Sequence, residues 1–130
     1  MQQTGSAAPA RPKVLIIDDD WDLVKTLGTS LSAAGFVVES AADGEAGLDR
    51  VEAFSPDVVL LDLLMPRMDG WEVCRRLRKT PWTQEIPVVA MTGLRQNKFT
   101  EALQGAGFSQ VILKPFDAAR LVEVLKNSLS

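Results

Sequence analysis

The chain has 130 residues, 46% of them hydrophobic and 24% charged, a size and composition suited to one soluble globular domain with one core. Its net charge of −3 opposes broad attraction to nucleic acid or anionic membrane, and the absence of any histidine excludes imidazole-based acid–base chemistry or metal binding within the chain. The single cysteine, Cys74, excludes an internal disulfide and a cysteine-rich zinc site, and no apolar run approaches the roughly 18 residues that span a bilayer, so a soluble, cytoplasmic protein is expected.

The opening segment, residues 1–12 (MQQTGSAAPARP), is polar, small and Pro-containing, and reads as a mobile extension ahead of a domain over residues 13–130. KVLII (residues 13–17) predicts a first strand; Leu23, Val24, Leu27 and Leu31 then recur at helical spacing until Gly35. FVVES (residues 36–40) predicts a second strand, with Asp43 as helix N-cap and Gly47, Leu48, Val51 and Phe54 as an inward stripe. DVVLL (residues 57–61) is the most apolar run and the expected central strand, followed by the loop DLLMPRMDG and a helix over residues 70–79. PVVAM (residues 87–91) precedes a helix carrying Phe99, Ala102, Leu103 and Ala106, and QVIL (residues 110–113) precedes a last helix with Ala118, Leu121, Val122 and Leu125.

Five strands alternate with five helices. Strands apolar on both faces and joined through helices require parallel pairing with right-handed crossovers, which gives an α/β fold, a three-layer αβα sandwich. The expected order is the flavodoxin-like 2-1-3-4-5, whose crevice lies outside the carboxyl ends of strands 1 and 3.

At those ends stand Asp18, Asp19 and Asp20 after the first strand, Asp62 after the third, Thr92 and Gly93 after the fourth, and Lys114 and Pro115 after the fifth. Two strand spacings, roughly 10 Å, separate Lys114 from the acids, a gap that a lysine stem leaning inward can largely close. Carboxylates without imidazole or thiolate suit a hard cation such as Mg²⁺, which would offset their mutual repulsion. Asp62 beside that metal is a candidate nucleophile of the kind that forms aspartyl phosphates, with Lys114, the Thr92 hydroxyl and loop N–H groups placed to neutralise phosphoryl oxygens.

The stretches VLIIDDD, PDVVLLDLLMPRMDGWEVCRRLR, IPVVAMTG and LKPF, in this order from residue 13 to about 128, resemble the receiver domains of two-component response regulators. The D-x-x-M-P-x-M-D-G run from Asp62 is the most specific of these. The resemblance implies that Asp62 accepts a phosphoryl group from a phosphohistidine on a sensor histidine kinase or histidine phosphotransfer protein. It implies Asp19 as a direct Mg²⁺ ligand, Asp18 as one largely through water, and the Leu64 carbonyl as a further ligand. It also implies Thr92 and Lys114 on the phosphoryl oxygens, and a cis Lys114–Pro115 bond. No output segment is evident, which suggests a stand-alone receiver of the chemotaxis-regulator type, acting by protein contact or phosphorelay, without direct nucleic-acid or membrane binding.

Two departures stand out. The family turns an aromatic side chain inward three residues before the lysine, in concert with its Thr or Ser; here that position is Val111, whose β-branch does not permit the same rotamer change, so a weaker or rerouted switch is expected. The positions two beyond the acceptor and two beyond the threonine are Leu64 and Leu94, neither able to orient water, so a long-lived phosphoryl state is expected.

Plainer roles suit the remaining candidates. Asp20 suits the N-cap of the first helix with Asp22 in its first turn, and Asp43, Asp57 and Asp69 suit capping, strand-entry and turn positions. Within RRLRK (residues 75–79), Arg75, Arg76 and Lys79 read as a solvated helix face with Glu72 at pairing distance from Arg76. A haloacid-dehalogenase reading would use Asp18 and Asp20, but Asp22 stands where that pattern needs Thr; a flavodoxin would place phosphate where three acids repel it; and a scaffold that no longer accepts phosphate would not need the acceptor set.

Overall fold

The computed structural model describes residues 11–93 and 97–129, without the side chains of residues 97–100. The expectations for residues 1–10, Leu94 and the side chain of Phe99 lie outside the described residues. The elements run β1 (Lys13–Ile17), α1 (Trp21–Ala33), β2 (Val37–Ala41), α2 (Gly44–Phe54), β3 (Val58–Asp62), α3 (Gly70–Lys79), β4 (Val88–Thr92), α4 (Asn97–Gly105), β5 (Gln110–Leu113) and α5 (Ala118–Ser128). The sheet is parallel throughout in the order β2-β1-β3-β4-β5, as expected.

Strand alternation divides the apolar residues between two layers. Val14, Ile16, Val58, Leu60, Val89 and Met91 pack against α1 and α5 through Leu27, Leu31, Leu121 and Leu125. Leu15, Ile17, Val59, Leu61, Val88 and Ala90 pack against α2, α3 and α4 through Val51, Val73, Leu77 and Leu103. Every residue of β3 and β4 is buried, which is why these strands read as continuous apolar runs.

Three strands sit one residue later than their apolar runs. Phe36 donates its N–H to Leu31 O and closes α1, with Gly35 at φ 100° supplying the left-handed turn, so β2 begins at Val37. Asp57 spends its carboxylate on the Lys13 N–H at 2.8 Å, and Pro87 has no N–H for the ladder, so β3 and β4 begin at Val58 and Val88. The consequence is functional: Asp62 and Thr92 are the last residues of strands, held by the ladder, and not the first residues of loops. One inward assignment on α4 is corrected: Ala102 is exposed, while among the described side chains of this helix Leu103 carries the fully buried position. Ala118 on α5 is likewise exposed, and Val124, not foreseen, is buried with Leu121 and Leu125.

No helix among the described residues is long and apolar enough to cross a membrane.

Candidate functional site

The carboxyl ends of β1 and β3 bring three acids together. One carboxylate oxygen from each of Asp18, Asp19 and Asp62 lies within 4.8 Å of the others. Asp18 and Asp62 are buried, at 2% and 7% exposure, and Asp19 is exposed at the mouth. Asp18 is fixed from three sides: its N–H donates to Ala41 O at 3.1 Å, its Oδ1 accepts the Asp20 N–H at 2.9 Å, and its Oδ2 lies 3.4 Å from Lys114 Nζ.

Lys114 reaches the acids as its strand position promised. Its N–H donates to Thr92 O at 2.8 Å, anchoring the backbone, and its Nζ lies 3.5 Å from Asp62 Oδ1 as well as 3.4 Å from Asp18. These are charge pairs longer than a well-formed hydrogen bond, so one ammonium balances two carboxylates without gripping either. The following Lys114–Pro115 bond is cis, as expected.

The Asp62 carboxylate does not ionise freely. Burial, and then the neighbouring Asp18 charge, push the Asp62 pKa above its ordinary 3.8; Lys114 and the Leu64 N–H oppose the rise without cancelling it. The donor set fits a hard divalent cation: oxygen only, closely grouped, anionic and open on the Asp19 side. The Leu64 N–H lies within hydrogen-bonding reach of the Asp62 carboxylate. Thr92 is buried at the end of β4, in the strand next to Asp62.

The loop after Asp62 is shaped by its sequence. A Cβ on Gly70 would lie 2.6 Å from Asp62 O, and the Gly70 N–H donates to Leu63 O at 3.0 Å, so only glycine lets α3 start against the end of β3. Met65 is buried in the α2–α3–α4 layer, whereas the Leu64 side chain is 63% exposed.

Residues 14–126 match the family model described as the response regulator receiver domain. The chain belongs to that family. The receiver is 37% identical over 113 residues to the DNA-binding dual master transcriptional regulator RpaA of Synechocystis, covering 85% of this chain and 46% of the relative. It is 38% identical over 112 residues to the response regulator MprA of Mycolicibacterium vanbaalenii, covering 85% and 47%. It therefore spans about half the length of the curated relatives it matches. Among solved structures, the chemotaxis protein CheY4 of Vibrio cholerae superposes with a TM-score of 0.87 at 28% identity, over 92% of this chain and 100% of that one. A putative response regulator from Chloroflexus aurantiacus superposes with a TM-score of 0.86 at 34% identity, over 92% of this chain and 98% of that one. A receiver is a signalling domain and not an enzyme acting on an external substrate.

The structure separates the acids of the first loop. Asp20 Oδ1 accepts the Leu23 N–H at 3.1 Å and caps α1, which removes it from the pairing with Asp18 that a dehalogenase would need. Asp43 and Asp69 cap α2 and α3, Asp69 taking a capping role where a turn was expected. Glu72 binds Arg75 as well as the expected Arg76, and these bonds hold its carboxyl down to about 2. One feature of this run was not foreseen from the sequence. Arg78, in the same basic run, turns inward to backbone carbonyls. Trp21 and Leu113, at 65% and 38% exposure, join Leu64 as exposed apolar side chains at the same end of the sheet.

Proposed function

We propose that Asp62 accepts a phosphoryl group from a phosphohistidine on a sensor histidine kinase or histidine phosphotransfer protein. An Asp62 oxygen attacks phosphorus, the N–P bond breaks, and the imidazole leaves with the electron pair and takes up a proton. The observation that carries this reading is the joint placement of Asp62, Asp18, Asp19 and Lys114 in one crevice. Asp19, exposed, offers a direct ligand for Mg²⁺; Asp18, with both oxygens engaged by protein groups, suits a contact through water; Asp62 and the Leu64 carbonyl complete the set. The bound ion would neutralise charge on the phosphoryl oxygens.

The remaining roles fall to the chain's own groups. Lys114 trades its hold on two carboxylates for a phosphoryl oxygen, and Thr92, buried at the end of β4, supplies a hydroxyl to another. Leu64 presents an alkyl side chain over the loop and orients no water, which favours a long-lived modified state. The modified receiver then acts through protein contact or in a phosphorelay.

Incubation with acetyl phosphate and Mg²⁺ followed by intact-mass measurement tests the reading. The expected result is a base-labile gain of one phosphate in the unmodified chain and none in Asp62→Asn. Labelling at Asp18 in place of Asp62 would contradict it.

A further inference from the structure

Trp71, Cys74 and Arg78 of α3 stand at i, i+3 and i+7, a spacing that sets them in one stripe along the helix. All three land on consecutive residues of the turn between α4 and β5. Trp71 meets Phe108 edge to face, with ring centroids 5.7 Å apart and planes at 86°. Cys74 Sγ donates to Ala106 O at 3.6 Å. The Arg78 guanidinium donates to Gly107 O through Nε at 3.0 Å and Nη2 at 2.7 Å. The turn is built around that side chain: Gly107 has φ 98°, and a Cβ there would lie 3.0 Å from Arg78 Cγ and Nε. Through Nη1 the same group donates to Ile86 O at 2.8 Å and Gln84 O at 3.2 Å, so the far end of α3 is tied at once to two segments.

The near end of α3 begins on the acceptor strand. Gly70 meets Asp62 and Leu63 backbone to backbone, with no side chain between them to absorb a shift. A helix of 10 residues is a rod about 15 Å long. Pinned at its far end by Arg78, such a rod answers a displacement of the loop after Asp62 by pivoting instead of sliding. Trp71 directly follows Gly70, so its ring is the part that swings against Phe108. The Phe108 N–H donates to Leu103 O, so a push on this ring is delivered to the C-terminal end of α4.

We propose that this clamp carries a change at Asp62 to α4, with Trp71 as the positioning residue in the place of the aromatic that Val111 lacks. Val111 is half-buried and packs into the same apolar layer as Trp71 and Phe108, where it serves as filling. The inference rests on Asp62 being the phosphoryl acceptor.

The test uses the full chain carrying Trp21→Phe and Trp82→Phe, both exposed positions, which leaves Trp71 as the sole indole in a chain without tyrosine. Acetyl phosphate with Mg²⁺ is the probe. Intact mass reports modification, while Trp71 emission and the amide resonances of residues 101–108 report the response. Emission and amide shifts are expected to change in proportion to the fraction of chain that gains mass. In Phe108→Leu and in Arg78→Met the mass gain is expected to persist while the amide response falls about threefold or more, the scale on which residues along a connected network modulate coupling. Mass gain with Trp71 emission unmoved overturns the clamp alone, as does an undiminished amide response in both variants. Absence of mass gain in the parent chain overturns the Asp62 reading and the clamp with it. Should both variants fail to fold, the emission of the parent chain still decides.

Discussion

Asp62 is held in an environment that works against its ionised form. It is 7% exposed, and burial together with the Asp18 charge raises its pKa above 3.8. An acid with a raised folded pKa binds more protons folded than unfolded in the window above 3.8. Stability therefore falls as pH rises through that window, and the cost is complete above the folded pKa. Asp62→Asn removes the charge at nearly constant shape, so it is expected to raise the melting temperature at pH 7. The advantage should shrink as the pH is lowered toward and below 3.8, where the aspartate becomes protonated first in the folded and then in the unfolded chain. Thermal unfolding followed by circular dichroism at the two pH values checks the sign. Mg²⁺ should stabilise the unmodified chain by about 2.7 kcal/mol at a concentration roughly 100 times its Kd. The asparagine variant should gain less, and a chelator should remove the effect in both.

At the scale of elements, the acids of the first loop divide by what their neighbours are. Asp20, Asp43, Asp69 and Asp117 each accept a backbone N–H three residues on, from Leu23, Ala46, Glu72 and Arg120. Such a bond satisfies a donor that the helix itself leaves open, and replacing the cap by alanine costs about 1 kcal/mol. Asp20→Ala is expected to lower stability by about that amount and to leave Mg²⁺ affinity nearly unchanged. Asp19→Asn should do the reverse, weakening Mg²⁺ roughly tenfold or more with little effect on stability. Urea unfolding and titration calorimetry on the two variants separate the roles. This division was legible in the sequence because a cap depends on local spacing: Asp20 precedes the apolar stripe of α1 by the right number of residues. The meeting of Lys114 with the acids was legible too, since the strand order follows from the alternation of elements. Arg78 was not. Its partners are carbonyls of residues 84, 86 and 107, and a backbone oxygen leaves no mark in a sequence. Nor were the strand starts, because Phe36, Asp57 and Pro87 are as apolar or as extended as strand residues and are excluded only by where their hydrogen bonds go.

For the whole molecule the question is where its positive charge is spent. Fourteen basic residues face 17 acidic ones, and the one dense basic run lies on α3. Within it Arg75 and Arg76 are paired with Glu72, while Arg78 is committed to carbonyls. Elsewhere Lys13 Nζ donates to Phe54 O at 2.9 Å and lies over the Phe54 ring, Arg50 pairs with Glu39, Arg67 with Asp43, and Arg120 with Glu123. Lys114 lies between two buried carboxylates. Binding to duplex DNA without sequence preference needs several cations on one face, each displacing counterions from the phosphates. Surface pairs of this kind are weak, but every nearby carboxylate repels the same phosphates that its partner would attract. The 130-residue chain is therefore expected to show no saturable binding to duplex DNA tighter than about 10⁻⁴ M, and no steep dependence on salt. Fluorescence anisotropy of a labelled duplex, titrated at low and at moderate salt, measures both quantities. Micromolar binding that weakens sharply with salt would place a phosphate-binding face on the receiver itself.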